Sequence, residues 1–423
     1  MKVLIKKAKV IAPNSAYHLK VVDILIDKGV IKEIGNISTT VSKTIDAKGL
    51  HVSVGFMDMR AFSMEPGFES MESLESLSAA AAKGGFTEVA IMPNTTPIIQ
   101  SKESVKYFQH FSERSLTSLL PTAAVTKDTA GEDFTEMWDL LAAGVTAFTD
   151  GSKPLWNSDI LYKTLQYLYP KKALLINRAE EPTLAAFGQM HEGITSTMMG
   201  TKGIPSEAEE LMVMRDLKLL EYADLEHDNS LLHFSCISTA AAVKLIRVAK
   251  QKGLAVSCDI AAHQLAFTDE DLAGFDTNLK VNPPFRSKKD IKALQKGLAD
   301  GTIDAIVSDH HPLDEEHKNM EFDLASFGVI GLQTAFAAAL THGDQELETI
   351  IASFTENPRK LLNKTQPKIA EGELANLTVF NPDEKINFEL KDIISKSKNS
   401  PFIGKELKGK IYATFHKGFS EIF

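Results

Sequence analysis

Eight short apolar runs, set apart by longer helical stretches, limit what this chain can fold into more than any other feature of it. Between about Ser53 and Asn363 they read VGFMDM, TEVAIMP, SLLPTAAVT, VTAFT, ALLIN, SLLHFS, LAVSCDI and IDAIVS. Segments such as MESLESLSAAAAKGG and STAAAVKLIRVAKQKG lie between them. Strands apolar along their whole length, with helices between them, belong to a parallel sheet covered on both sides. Eight such units predict a (β/α)8 barrel of the α/β class, whose active sites form at the carboxyl ends of the strands. At or just beyond those ends stand Arg60, Asn94, Thr126, Asp150, Arg178, Cys236, Asp259 and Asp309.

The two ends of the chain have a different texture. Lys2 to Ala12 alternates apolar and basic residues, and Asp23 to Gly35 reads as strand, Asp-Lys-Gly turn, strand. ANLTVFNP and KGKIYATFHKGFSEIF repeat the style near the other end. Neither segment has enough strands to bury a face alone, so both are expected in one small β-sandwich. The expected division is residues 1–52 plus 366–423 for the sandwich and 53–365 for the barrel.

Composition removes several classes of function. A formal charge of −10, with Lys and Arg dispersed, leaves no footprint for nucleic acid or an anionic membrane. Two cysteines, Cys236 and Cys258, make no disulfide framework and suit a reducing compartment. MKVLIKKAKV carries no long apolar run and no small-residue cleavage site, so the expected location is the cytoplasm.

Segments along nearly the whole chain, in order, resemble the dihydroorotases of the amidohydrolase superfamily. They include GFMDMRAFSMEPGFE, GGFTEVAIMPNTTP, AFTDGSKP, NRAEE, LHFSCISTA, LKVNPPFRSKKD, IDAIVSDHHP and SFGVIGLQT. The resemblance implies a barrel with a sandwich built from both termini, and a zinc-dependent hydrolysis of a cyclic amide in pyrimidine (UMP) synthesis. It is nearest the multifunctional-complex type, which implies aspartate transcarbamoylase as a possible partner; homo-oligomerisation is also expected.

The same resemblance shows what has been replaced. The His-x-His pair ending the family's first strand aligns with Arg60 and Phe62, the bridging carboxylate with Gly151, the fifth-strand histidine with Arg178 and the sixth-strand histidine with Cys236. Of the usual ligands only Asp309 survives, as a vestigial catalytic position. Guanidinium and phenyl groups offer no lone pair to a metal, and zinc in hydrolases needs at least three protein donors. No metal or other cofactor is therefore expected. Asn94 and His310 resemble substrate-binding positions, whereas the carboxylate-binding arginine is Met64.

Removing metal ions would leave buried carboxylates uncompensated, at several kcal/mol per charge. Arg60 and Arg178 are therefore expected to stand in for the cations, pairing with Asp309 or Asp150, with Glu180 a further carboxylate to balance. A relocated site drawn from Cys236, Asp259, His263, Asp309, His310 and His311 is the competing arrangement. His233, His263, His191 and Glu192 are read as structural, and Arg286 as a capping or pairing group. The Gly84-Gly85 pair reads as a helix C-terminus, since it precedes a strand. The leading expectation is a non-catalytic homologue acting as a structural or regulatory partner. The alternatives are an active hydrolase with a rearranged metal and a small-molecule binding module.

Overall fold

The computed structural model describes residues 2–225 and 228–423. Its centre is a ring of parallel strands. Phe56–Ala61 pairs with Phe86–Ile91, which pairs with Ser118–Pro121. Farther round, Leu175–Arg178, Leu232–Ser235, Val256–Ala261 and Ala305–Val307 pair in that order. Bridges from Phe148 to Ala123 and Leu175 supply the fourth position, and a bridge between Ala61 and His310 closes the ring. All eight expected runs thus form a (β/α)8 barrel. Met57, Met59, Ala90, Ala147, Ile176, Ala305 and Val307 come together from strands around the ring as one apolar cluster. A larger core including Phe56, Phe86, Val89, Leu165, Val243 and Ile246 packs the strands against the helices.

Local chemistry fixes where the helices begin. Ser73 accepts from the Ser76 amide at the start of Leu74–Lys83, and Thr239 accepts from the Ala242 amide at the start of Ala240–Gln251. Gly84 ends the first of these, and Gly85, at φ +89°, turns the chain into the next strand.

The terminal segments assemble as one domain. Strands Lys2–Ile11, Val21–Asp27, Val30–Gly35, Lys43–Ile45 and His51–Val54 join Leu377–Phe388, Lys405–His416 and Phe419–Ile422 in an eight-stranded sheet. One apolar cluster draws Val3, Ile24, Val52, Leu377, Val379 and Phe415 from both ends of the chain. The sheet extends to Val54 because His51–Val54 pairs with Leu377–Phe388, so the passage into the barrel falls at Gly55. Arg359, wholly buried, pins this junction: its Nη2 donates to the Gly55 carbonyl at 2.7 Å and lies 2.7 Å from a Glu88 carboxylate oxygen.

Among the described residues no helix is long and apolar enough to cross a membrane.

Candidate functional site

The carboxyl ends of the strands are filled by side chains. Arg60, Phe62, Asp150, Arg178, Cys236, Asp309 and His310 are each less than one-tenth exposed. At the tip of the first strand Arg60 points its Nε to Asp309 Oδ1 at 2.7 Å, and its Nη1 donates to the Gly151 carbonyl at 3.4 Å. Its guanidinium carbon lies 5.3 Å from the centre of the Phe62 ring, which stacks on His311 at 4.3 Å. Burial works against the Arg60 charge, but the acidic groups around it outweigh that cost and raise its pKa. Burial, and then Asp309, push the Cys236 thiol well above its ordinary range. It is therefore neutral near pH 7, and the anion that balances Arg60 is Asp309.

Arg178, ending the fifth strand, has a different partner: its Nη2 lies 3.1 Å from Glu180 and its Nη1 donates to the Ser152 carbonyl at 3.4 Å. Asp150 pairs with neither arginine. Its Oδ1 accepts from the amides of Val125 at 2.9 Å and Thr126 at 3.0 Å, and its Oδ2 accepts from the Thr126 hydroxyl. Three local donors make a guanidinium unnecessary there. Burial raises the Asp150 pKa against those hydrogen bonds.

The two positions expected to meet a substrate are engaged by the protein itself. Asn94 donates to the Asp150 carbonyl at 3.1 Å and accepts from the Ser152 amide at 2.9 Å. A Cβ built on Gly151, at φ +70°, would fall 1.8 Å from Asn94 Oδ1, so a carboxylate there would expel that side chain. His310 accepts from the Gly331 amide at 3.1 Å through Nδ1, and its Nε2 faces Glu72 at 3.4 Å. Both ring nitrogens are thus turned into the wall.

Around Cys236 lies a second polar cluster. Asp259, wholly buried, accepts from the Cys236 amide at 2.6 Å and faces His233 Nε2 at 2.8 Å, and the other His233 nitrogen lies 2.8 Å from Ser257. Cys236 and Asp309 both have left-handed backbones, at φ 56° and 44°. That conformation costs a non-glycine residue about 1 kcal/mol or more and persists only where its surroundings fix it. His191 and Arg286 also meet, at 3.0 Å, and Arg286 donates to Ser238 at 3.1 Å, which makes Arg286 a pairing group within the wall.

Sequence reasoning missed Asp58, Glu72 and Ser308. Asp58 is wholly buried, accepts from the Ser308 amide at 2.9 Å and from its hydroxyl, and is pushed by burial up to about 7. The signal was available: a lone acid inside the apolar run GFMDM has no route to solvent.

A dihydroorotase of Pelotomaculum thermopropionicum is 38% identical to this chain over 423 residues, covering 99% of it and 98% of the relative. A dihydroorotase of Geobacter sp. strain M21 matches at 38% with the same shares. The chain belongs to the dihydroorotase family. A family profile described as dihydro-orotase-like matches residues 50–240. The L-hydantoinase of Arthrobacter aurescens superposes with a TM-score of 0.83 at 22% identity, over 100% of this chain and 97% of that one. A dihydropyrimidinase from Brevibacillus agri gives 0.80 at 20%, over 100% and 95%, and these two likenesses speak to the fold alone.

Amidohydrolases of this kind generally use zinc, and the residues at this mouth do not fit it. Asp309 is held by a guanidinium, Arg60 and Arg178 have no lone pair to give, and His263 and His311 are neutral, the form that can ligate a metal. Those histidines keep lone pairs, but among the described residues no three His, Cys, Asp or Glu side chains converge as a metal-binding group.

Proposed function

We propose that this dihydroorotase-family protein is non-catalytic and serves pyrimidine synthesis as a structural or regulatory partner of aspartate transcarbamoylase. The observation that carries this reading is the buried Arg60–Asp309 contact at 2.7 Å. Opening an unactivated cyclic amide near neutral pH needs an activated water and a polarised carbonyl. Asp309 has its charge balanced and one oxygen engaged by that guanidinium, so it is not free to position a water for attack. Cys236 cannot replace it as a nucleophile, because the reactive form is the thiolate and burial disfavours that form. Asn94 and His310, spent on the Asp150–Ser152 turn and the Gly331 amide, have little left to offer a substrate. The partner role draws on the family resemblance and asks only for an intact barrel surface.

The test is metal content and dihydroorotate hydrolysis on protein purified without chelator, followed by mixing with aspartate transcarbamoylase. Zinc well below one equivalent, no turnover and a shared elution peak are expected. Stoichiometric zinc with turnover would return the chain to the active hydrolases. Thermal stabilisation by dihydroorotate without turnover would favour a binding module instead.

A further inference from the structure

Helix Ser206–Ala223 lies on the outside of the barrel and carries a stripe of exposed residues at Glu207, Leu211, Met214 and Lys218. Steps of four, three and four residues keep these side chains on one line along the helix, as in a coiled-coil seam. Leu211 is 48% exposed and Met214 is 51% exposed, a large apolar surface to leave in water at the middle of a helix. Leu211, Met214 and Lys218 of the stripe line one wall of a groove of about 730 Å³ whose other wall belongs to Ala240–Gln251 and carries Leu245 and Val248, and Glu207 lies beyond its end.

The order of the stripe selects its occupant. Read from either end it runs charge, apolar, apolar, charge, and the charges have opposite sign. Turned through 180° about an axis through its midpoint, it brings Leu211 over Met214 and Glu207 over Lys218. A two-fold axis imposes that operation, because an isologous interface places each patch on itself in reverse. The acidic end has no lysine or arginine within ion-pair distance among the described residues. At the basic end Lys218 reaches, among the described residues, Glu221 at 2.9 Å, in an exposed pair of the kind that contributes little.

We propose that this face is the interface of a homodimer in which Ser206–Ala223 packs antiparallel on its own copy, with Leu211 and Met214 at the centre and Glu207–Lys218 contacts at both ends. An 18-residue helix is about 27 Å long and the two-helix face about 20 Å wide. Together they bury about 1,000 Å² over the two copies, the lower end of specific association.

Sedimentation of the full chain at micromolar concentrations, with thermal melting to confirm the fold, tests it. The unmodified protein is expected to dimerise, and Met214→Glu to be a monomer with an unchanged melt. Glu207→Lys and Lys218→Glu, taken singly, are each expected to weaken the dimer about tenfold by setting like charges opposite one another. The two together should restore it, since the swap preserves both contacts. A monomeric parent protein, a dimer indifferent to Met214→Glu, or a folded double variant that stays weakened would overturn the proposal.

Discussion

Arg60 and Asp309 meet at a distance at which neither side chain can be changed alone without leaving the other's charge buried. Arg60→Leu is expected to lower stability by about 3–5 kcal/mol, because the surviving carboxylate is stranded, whereas Arg60→Leu with Asp309→Leu should recover most of that loss. Urea denaturation of the two variants and the parent decides it: equal losses in the single and double variants would mean the pair carries no compensation. Gly151→Asp, which puts an acid where the family resemblance implies a bridging carboxylate, is expected to destabilise by at least about 1 kcal/mol, from its positive φ and its collision with Asn94, and to leave zinc content unchanged. Elemental analysis and a melting curve read both effects. Asp58 gives a pH signature. Its folded pKa, about 7, is above its ordinary value, so the folded state holds a proton that the unfolded state has released. Its contribution is fully present below about pH 4 and is lost as pH rises to about 7. The stability of Asp58→Asn relative to the parent should therefore increase across that window and then level off. His263, depressed to about 4, has the opposite sign, so only variant-minus-parent curves separate the two.

At the scale of elements, two connections hold the mouth and the terminal domain in register. The hairpin at Asp27 turns through Lys28 at φ 51° and Gly29 at φ 78°, and a Cβ on Gly29 would lie 2.4 Å from the Gly418 Cα. The Asp-Lys-Gly reading of the sequence located that turn because two consecutive positive φ values call for glycine in at least one place. What it could not supply was the second reason for glycine, the approach of a backbone almost 400 residues away in the chain. No reading of the sequence picked out the segment around Ser395–Asn399, yet it straps the barrel mouth. Asn399 donates to the carbonyls of His311 at 3.0 Å and Gly328 at 3.1 Å and accepts from the Leu313 amide at 3.2 Å. Asn399→Ala leaves those buried groups unpaired and is expected to cost about 1–3 kcal/mol. Hydrogen exchange should quicken in residues 311–330 and remain unchanged in the far wall of the barrel; uniform quickening would refute a local strap.

For the whole molecule, the barrel and the terminal sheet are interdependent, since the sheet takes strands from residues 2–54 and 377–422 and Arg359 locks the Gly55 junction from beneath. Eight apolar runs were enough to specify the barrel, because a strand covered on both faces must be apolar throughout, and that requirement is written locally. What Arg60, Phe62 and Arg178 can offer a metal was equally visible, since a guanidinium or a phenyl ring lacks a lone pair wherever it is placed. Which carboxylate Arg60 would take was not visible. Asp150 and Asp309 are both acids at strand ends, and only the folded chain brings the Val125 and Thr126 amides to Asp150 and leaves Asp309 to the guanidinium. Donor and acceptor types are properties of residues and can be read in one dimension. Their pairing depends on distances between residues far apart in sequence, and those exist only once the ring has closed.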